Sequence, residues 1–87
     1  MDIESLAQYK EQLAAAGNTL VVVDFHATWC GPCKQIAPRL KALVAEHEVI
    51  LLKVDVDDAD DVAKEEKISA MPTFFFYKVG NKVLFII

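Results

Sequence analysis

The chain has only two cysteines, Cys30 and Cys33. They stand in the run Trp29-Cys30-Gly31-Pro32-Cys33, directly behind the apolar stretch Leu20-Val21-Val22-Val23-Asp24-Phe25. A strand that delivers a C-x-x-C pair to the start of a helix suits reversible dithiol–disulfide chemistry. The spacing allows a tight intramolecular disulfide. The helix N-terminus adds free backbone N–H groups and a positive dipole end, both of which stabilise a thiolate on the first cysteine. A zinc site needs four ligands, and only His26 and His47 remain as soft candidates, neither at finger-like spacing. The reading is therefore redox chemistry carried by the cysteines alone, with no cofactor and no metal.

The elements that must hold this pair follow from hydrophobic periodicity. Leu6, Tyr9, Leu13 and Ala16 recur at helical spacing, and Gly17-Asn18 is a plausible stop. Residues 20–25 are nearly all apolar and β-branched, as a buried central strand requires. Cys33, Ile36, Leu40, Leu43, Val44 and His47 fit one face of a helix leaving the motif, with Pro38 inside it predicting a kink. A strand over 49–54, an acidic stretch and a short helix around 60–67 come next. Strands over 73–77 and 82–87 flank Lys78-Val79-Gly80-Asn81, a connection short enough to force an antiparallel hairpin. The order α-β-α-β-α-β-β predicts an α/β fold, a mixed sheet with helices on its faces.

Composition bounds the rest. Eighty-seven residues, 54% of them apolar, predict a single domain over 1–87 with an ample core. No repeat, linker or low-complexity segment interrupts it. Two cysteines inside one motif leave no structural disulfide framework, which points to a reducing, cytoplasmic setting. The start, Met1-Asp2-Ile3-Glu4-Ser5, lacks the basic and apolar regions of a signal peptide. No run approaches the roughly 18 apolar residues of a membrane span, so no membrane partner is expected. Nine basic residues against thirteen acidic ones give a net charge of −4, which disfavours nucleic-acid binding.

Several separated motifs make the chain resemble the thioredoxin family, from about Ile3 to Lys82. They are Val21-Val22-Val23-Asp24-Phe25, Ala27-Thr28-Trp29-Cys30-Gly31-Pro32-Cys33, Lys53-Val54-Asp55-Val56-Asp57, Met71-Pro72-Thr73 and Gly80. The resemblance implies a thioredoxin-like mixed sheet and a protein disulfide reductase acting on disulfide-containing protein substrates. It implies recharging by a separate thioredoxin reductase. Cys30 would be the attacking thiolate, Cys33 the resolving thiol, Asp24 a buried carboxylate beneath them and Lys53 its partner. Trp29, Gly31, Pro32, Met71, Pro72 and Thr73 would form the substrate-binding surface, with Pro72 in the cis form against the disulfide. His26 stands where many members carry tryptophan, a difference expected to touch surface packing but no proton transfer.

Read without the resemblance, some of these residues have plainer explanations. Asp24 could be a solvent-paired residue at a sheet edge, Lys53 a strand lysine facing water, and Pro72 an ordinary loop proline. Asp55, Asp57, Asp58, Asp60 and Asp61 invite a calcium loop, but Ala59 and Asp60 occupy positions that the loop cannot spare. The chain end is a departure. Family members continue past the hairpin into a final helix, whereas this sequence stops at Ile87 after the apolar run Val83-Leu84-Phe85-Ile86-Ile87. The expected fold therefore lacks that last helix, and the sticky C-terminal strand predicts self-association, a covering partner, or a natural or engineered truncation. A truncated interaction or regulatory module with poor turnover is the rival reading.

Overall fold

The computed structural model describes residues 1–86, with side chains through Val83. Its elements are β1 (Asp2–Ile3), α1 (Leu6–Ala15), β2 (Leu20–His26), α2 (Gly31–Glu46), β3 (Val49–Asp55), α3 (Asp60–Glu65), β4 (Thr73–Lys78) and β5 (Asn81–Ile86). The strands form one sheet in the order β1-β3-β2-β4-β5. The β1–β3 and β2–β3 pairs are parallel, and β2–β4 and β4–β5 are antiparallel. This is the mixed α/β architecture that the sequence predicts. Two residues are too few to show a period, so β1 escapes pattern reading. It is held by register pairs Asp2–Lys53 and Ile3–Val54, by the Lys53 N–H donating to the Met1 carbonyl at 2.8 Å, and by burial of Ile3.

The central strand β2 explains why its sequence is apolar on both faces. Val21, Val23 and Phe25 point into a core with Tyr9, Leu52, Val54, Val62, Phe75 and Tyr77, where Phe25 and Phe75 meet edge to face at 5.0 Å. The alternate residues Leu20, Val22, Asp24 and His26 take the other face. There Leu20, Val22 and Phe76 share an apolar hollow with Leu40, Leu43 and Val44 of α2. Asp24 is thus no edge residue. It lies mid-sheet between β3 and β4.

Helix ends are closed by specific groups. Ser5 caps α1, its Oγ accepting the Gln8 N–H at 3.2 Å. Asp61 of α3 accepts the Leu6 N–H at 2.8 Å, so α3 satisfies a donor that α1 cannot. At the end of α3, Lys67 turns left-handed (φ 57°), and the N–H groups of Lys67 and Ile68 donate back to Lys64 and Ala63, which stops the helix two residues short of the expected span. The longer helix, α2, continues through Pro38 to Glu46. His47, expected on its apolar face, lies beyond its last turn in extended conformation and is exposed.

A buried polar cluster ties four elements together. The Tyr77 hydroxyl donates to Glu66 Oε2 at 2.8 Å, and the Tyr9 hydroxyl donates to Tyr77 Oη at 3.2 Å. Burial pushes both phenols up, Tyr77 to about 12. Lys82 of β5 pairs with Glu66 at 3.6 Å and sits 3.8 Å above the Phe75 ring. Beyond it, Val83 is exposed. The side chains of residues 84–87, on which the sticky-end expectation rests, lie outside the described residues.

Candidate active site

The site is built where β2 ends and α2 begins. Cys30 is the N-cap of α2 with extended backbone (φ −87°, ψ 107°), and its Sγ accepts the Cys33 N–H at 3.2 Å. Its own N–H donates to the Ala27 carbonyl at 3.1 Å. Gly31 and Pro32 open the helix, where proline is tolerated because the first-turn N–H groups have no intrahelical acceptor. A Cβ added at Gly31 would meet nothing within 4 Å, so packing does not demand a glycine there. Cys30 and Cys33 form a disulfide with their Cα atoms 5.3 Å apart. Both are buried, in a small apolar cluster with Ala27, Val56 and Met71.

The loop before β4 closes the other side. The Met71–Pro72 bond is cis, as expected. Pro72 shares a hollow of about 380 Å³ with Pro32, Gln35, Ile36 and Arg39. Trp29 is 65% exposed beside the cysteines, and its indole N–H donates to Asp57 Oδ2 at 2.9 Å. Thr73 is placed differently from its neighbours. Its side chain is buried, donates to the Ala70 carbonyl at 2.6 Å, and lines a separate hollow with Glu66, Ile68 and Phe75.

Asp24 is 4% exposed, and its Oδ1 has no hydrogen-bond partner among the described residues. Burial raises its pKa, while the positive charges of His26 and Lys53 pull it back down. Lys53 is its register partner on β3, half-buried beside Lys34, Pro38 and Leu40 of α2. The two side chains share a face without forming a direct ion pair among the described residues. Two β2 positions correct the expectation about His26. It stands two residues from Asp24 on the same strand face, so it acts on the carboxyl electrostatically. Strand alternation carries that signal, since residues two apart in a strand share a face.

Four carboxylates of the acidic stretch have structural tasks. Asp55 Oδ1 accepts the N–H groups of Asp57 and Asp58 at 2.9 and 3.4 Å, Asp57 holds Trp29, Asp60 pairs with Lys64 at 3.5 Å, and Asp61 caps α1. Among the described residues no three His, Cys, Asp or Glu side chains gather as a metal site. Asp57 is the residue that sequence reasoning undervalued, since no local pattern links it to Trp29, 28 positions away.

A thioredoxin family model matches residues 2–86. The chain belongs to the thioredoxin family. It is 56% identical to mouse thioredoxin over 82 residues, which cover 93% of this chain and 78% of the mouse protein. Human thioredoxin matches at the same identity and coverage. A crystal structure of Schistosoma mansoni thioredoxin superposes with a TM-score of 0.94 at 45% identity, covering all of this chain and 81% of that one. The protein is accordingly a thiol–disulfide oxidoreductase, a protein disulfide reductase working by dithiol–disulfide exchange through its C-G-P-C motif. Thioredoxins act on disulfide substrates and are themselves reduced by thioredoxin reductase.

Proposed function

We propose that the protein reduces disulfides in extended segments of protein substrates, with Cys30 as attacking thiolate and Cys33 as resolving thiol. The observation that carries this division is the Cys33 N–H aimed at Cys30 Sγ from the first turn of α2. A charge-assisted hydrogen bond and the helix dipole favour the thiolate at Cys30, and among the described residues no corresponding donor points at Cys33. In the reduced protein, the Cys30 thiolate attacks one substrate sulfur, forming a mixed disulfide and releasing the first substrate thiolate, which takes up a proton. Cys33 then loses its proton and attacks Cys30 Sγ, releasing the second substrate thiolate, which is also protonated. Two electrons pass to the substrate, and the Cys30–Cys33 disulfide remains.

Asp24, buried with a raised pKa, is the group suited to accept the Cys33 proton, and Lys53 limits how far that pKa rises. Trp29, Gly31, Pro32, Met71 and Pro72 form the docking surface, with the exposed Gly31 next to the buried Cys30. Thr73 contributes through its backbone, because its hydroxyl is engaged with Ala70. A separate thioredoxin reductase returns two electrons and two protons to the disulfide. The expected setting is the reducing cytoplasm, which keeps such a dithiol charged. Self-association belongs to the same reading, supported by β5 lying at a sheet edge, and light scattering over a concentration series checks it.

The decisive assay is reduction of a disulfide-containing protein with thioredoxin reductase supplied. Cys30→Ser should abolish turnover, and Cys33→Ser should accumulate mixed disulfide with the substrate. Equal, mild losses in the two variants would refute the assigned roles.

A further inference from the structure

Pro32, Gln35, Ile36 and Arg39 lie at i, i+3, i+4 and i+7, one stripe along α2. With Pro72 opposite, they line the hollow of about 380 Å³ that opens beside the disulfide. The stripe begins at the active-site turn and ends at an exposed arginine that forms no ion pair among the described residues. Helix α2 also inverts the charge of the molecule. It carries Lys34, Arg39 and Lys41 against the single Glu46, whereas the whole chain has a net charge of −4. Lys34 and Lys41 line a different hollow, beside Lys53. Arg39 is therefore the one cation lining the hollow next to Pro72. Asp57, followed in the chain by Asp58, is bonded to the Trp29 indole. The docking face thus carries positive charge along α2 at Arg39 and negative charge at Asp57 beside Trp29.

We propose that Arg39 selects disulfide substrates that carry an acidic side chain near the attacked cysteine. Seven helix positions span about 10 Å, which an extended segment covers in about three residues. A segment whose cysteine lies over Cys30 and whose backbone runs along the stripe brings a residue at that separation to the guanidinium. Carboxylate matches the fork of arginine donors, and the acidic side of Trp29 repels the same charge in the opposite orientation. The inference rests on the reductase reading above and names the substrate class of that site.

The test uses synthetic peptides with one disulfide to a small thiol and Glu, Gln or Lys three residues before or after the cysteine. Their kcat/KM is measured with wild-type protein, Arg39→Ala and Arg39→Glu, with reductant supplied. Wild-type protein should reduce the Glu peptide about two- to fivefold faster than the Gln peptide in one of the two placements, the range an exposed ion pair gives. That preference should vanish in Arg39→Ala, pass to the Lys peptide in Arg39→Glu, and shrink as salt rises. A Glu/Gln ratio near one in wild-type protein, or one that Arg39→Ala leaves intact, overturns the inference while the reductase reading stands. Failure of wild-type protein to reduce any of the peptides or a protein disulfide overturns both.

Discussion

At the scale of single residues, Asp24 carries the largest unresolved cost in the fold. A carboxyl among valines and phenylalanines, with one oxygen unpartnered, is held protonated to a higher pH than its ordinary 3.8 because burial penalises its charge. His26 and Lys53 oppose that shift from two directions, one along β2 and one across to β3. Lys34 and Lys41 of α2 line the hollow beside Lys53, Asp55 is the register partner of His26 on β3, and Phe74, the register partner of Asp24 on β4, brings no charge. Replacing His26 by Phe removes one of the two electrostatic influences that lower the Asp24 pKa. The pH profile of disulfide exchange should then move to higher pH, and an unmoved profile would remove His26 from the proton-transfer account. Asp24→Asn should slow exchange and flatten its pH dependence, because it removes the ionisable carboxyl whose pKa burial raises. Exchange that keeps its wild-type rate and profile would count against proton transfer through this group.

Among the elements, the hairpin between β4 and β5 is strained by one residue choice. Lys78 pairs with Asn81, leaving Val79 and Gly80 as a two-residue loop in which both φ angles are positive, 54° and 77°. Hairpin turns of this kind favour Asn-Gly, and a β-branched residue in left-handed conformation costs about 1–2 kcal/mol. Val79→Asn should therefore stabilise the protein by about 1 kcal/mol, read as a higher denaturant midpoint at unchanged slope. Ser5→Ala works in the other direction. It leaves the Gln8 N–H of α1 without its acceptor, and loss of such a cap costs about 1 kcal/mol. Neither site touches the disulfide, so a change in exchange chemistry in either variant would be unexpected.

Over the whole molecule, the sheet order places β2 between β3 and β4, with the parallel β2–β3 pair joined by α2 crossing one face. The strand that presents the cysteines is also the one most enclosed by partners. Amides of Val21, Val23 and Phe25 should exchange with solvent most slowly, through global unfolding, while those of β1 open locally. Comparable protection in β1 and β2 would contradict this ranking. Stability should also carry the signature of Asp24. Its folded-state pKa is raised, so between 3.8 and that raised value the folded protein binds more protons than the unfolded chain. This group's contribution to stability is therefore most favourable below pH 3.8, falls as pH rises through the window, and then stays level. Asp24→Asn should remove that slope and be more stable than the original protein at neutral pH, as measured by urea denaturation at several pH values.

The amino-acid sequence by itself determined the local features. The C-x-x-C pair, the helix stripes, the all-apolar central strand and the tight hairpin each arise from neighbours a few positions apart, where backbone geometry alone sets which side chains meet. It also placed the mixed sheet, because a helix between two apolar strands leaves few ways to bury both. Only the tertiary structure decided what depends on contacts across long separations. Trp29 is bonded to Asp57, α1 is capped by Asp61, and Arg39 stands with Pro72 at one hollow. None of these has a period or a motif, since each joins segments whose distance along the chain says nothing about their distance in space. Even Asp24, visible as an anomaly in β2, acquired its meaning only when β3 and β4 enclosed it, because desolvation is a property of the surroundings and not of the residue.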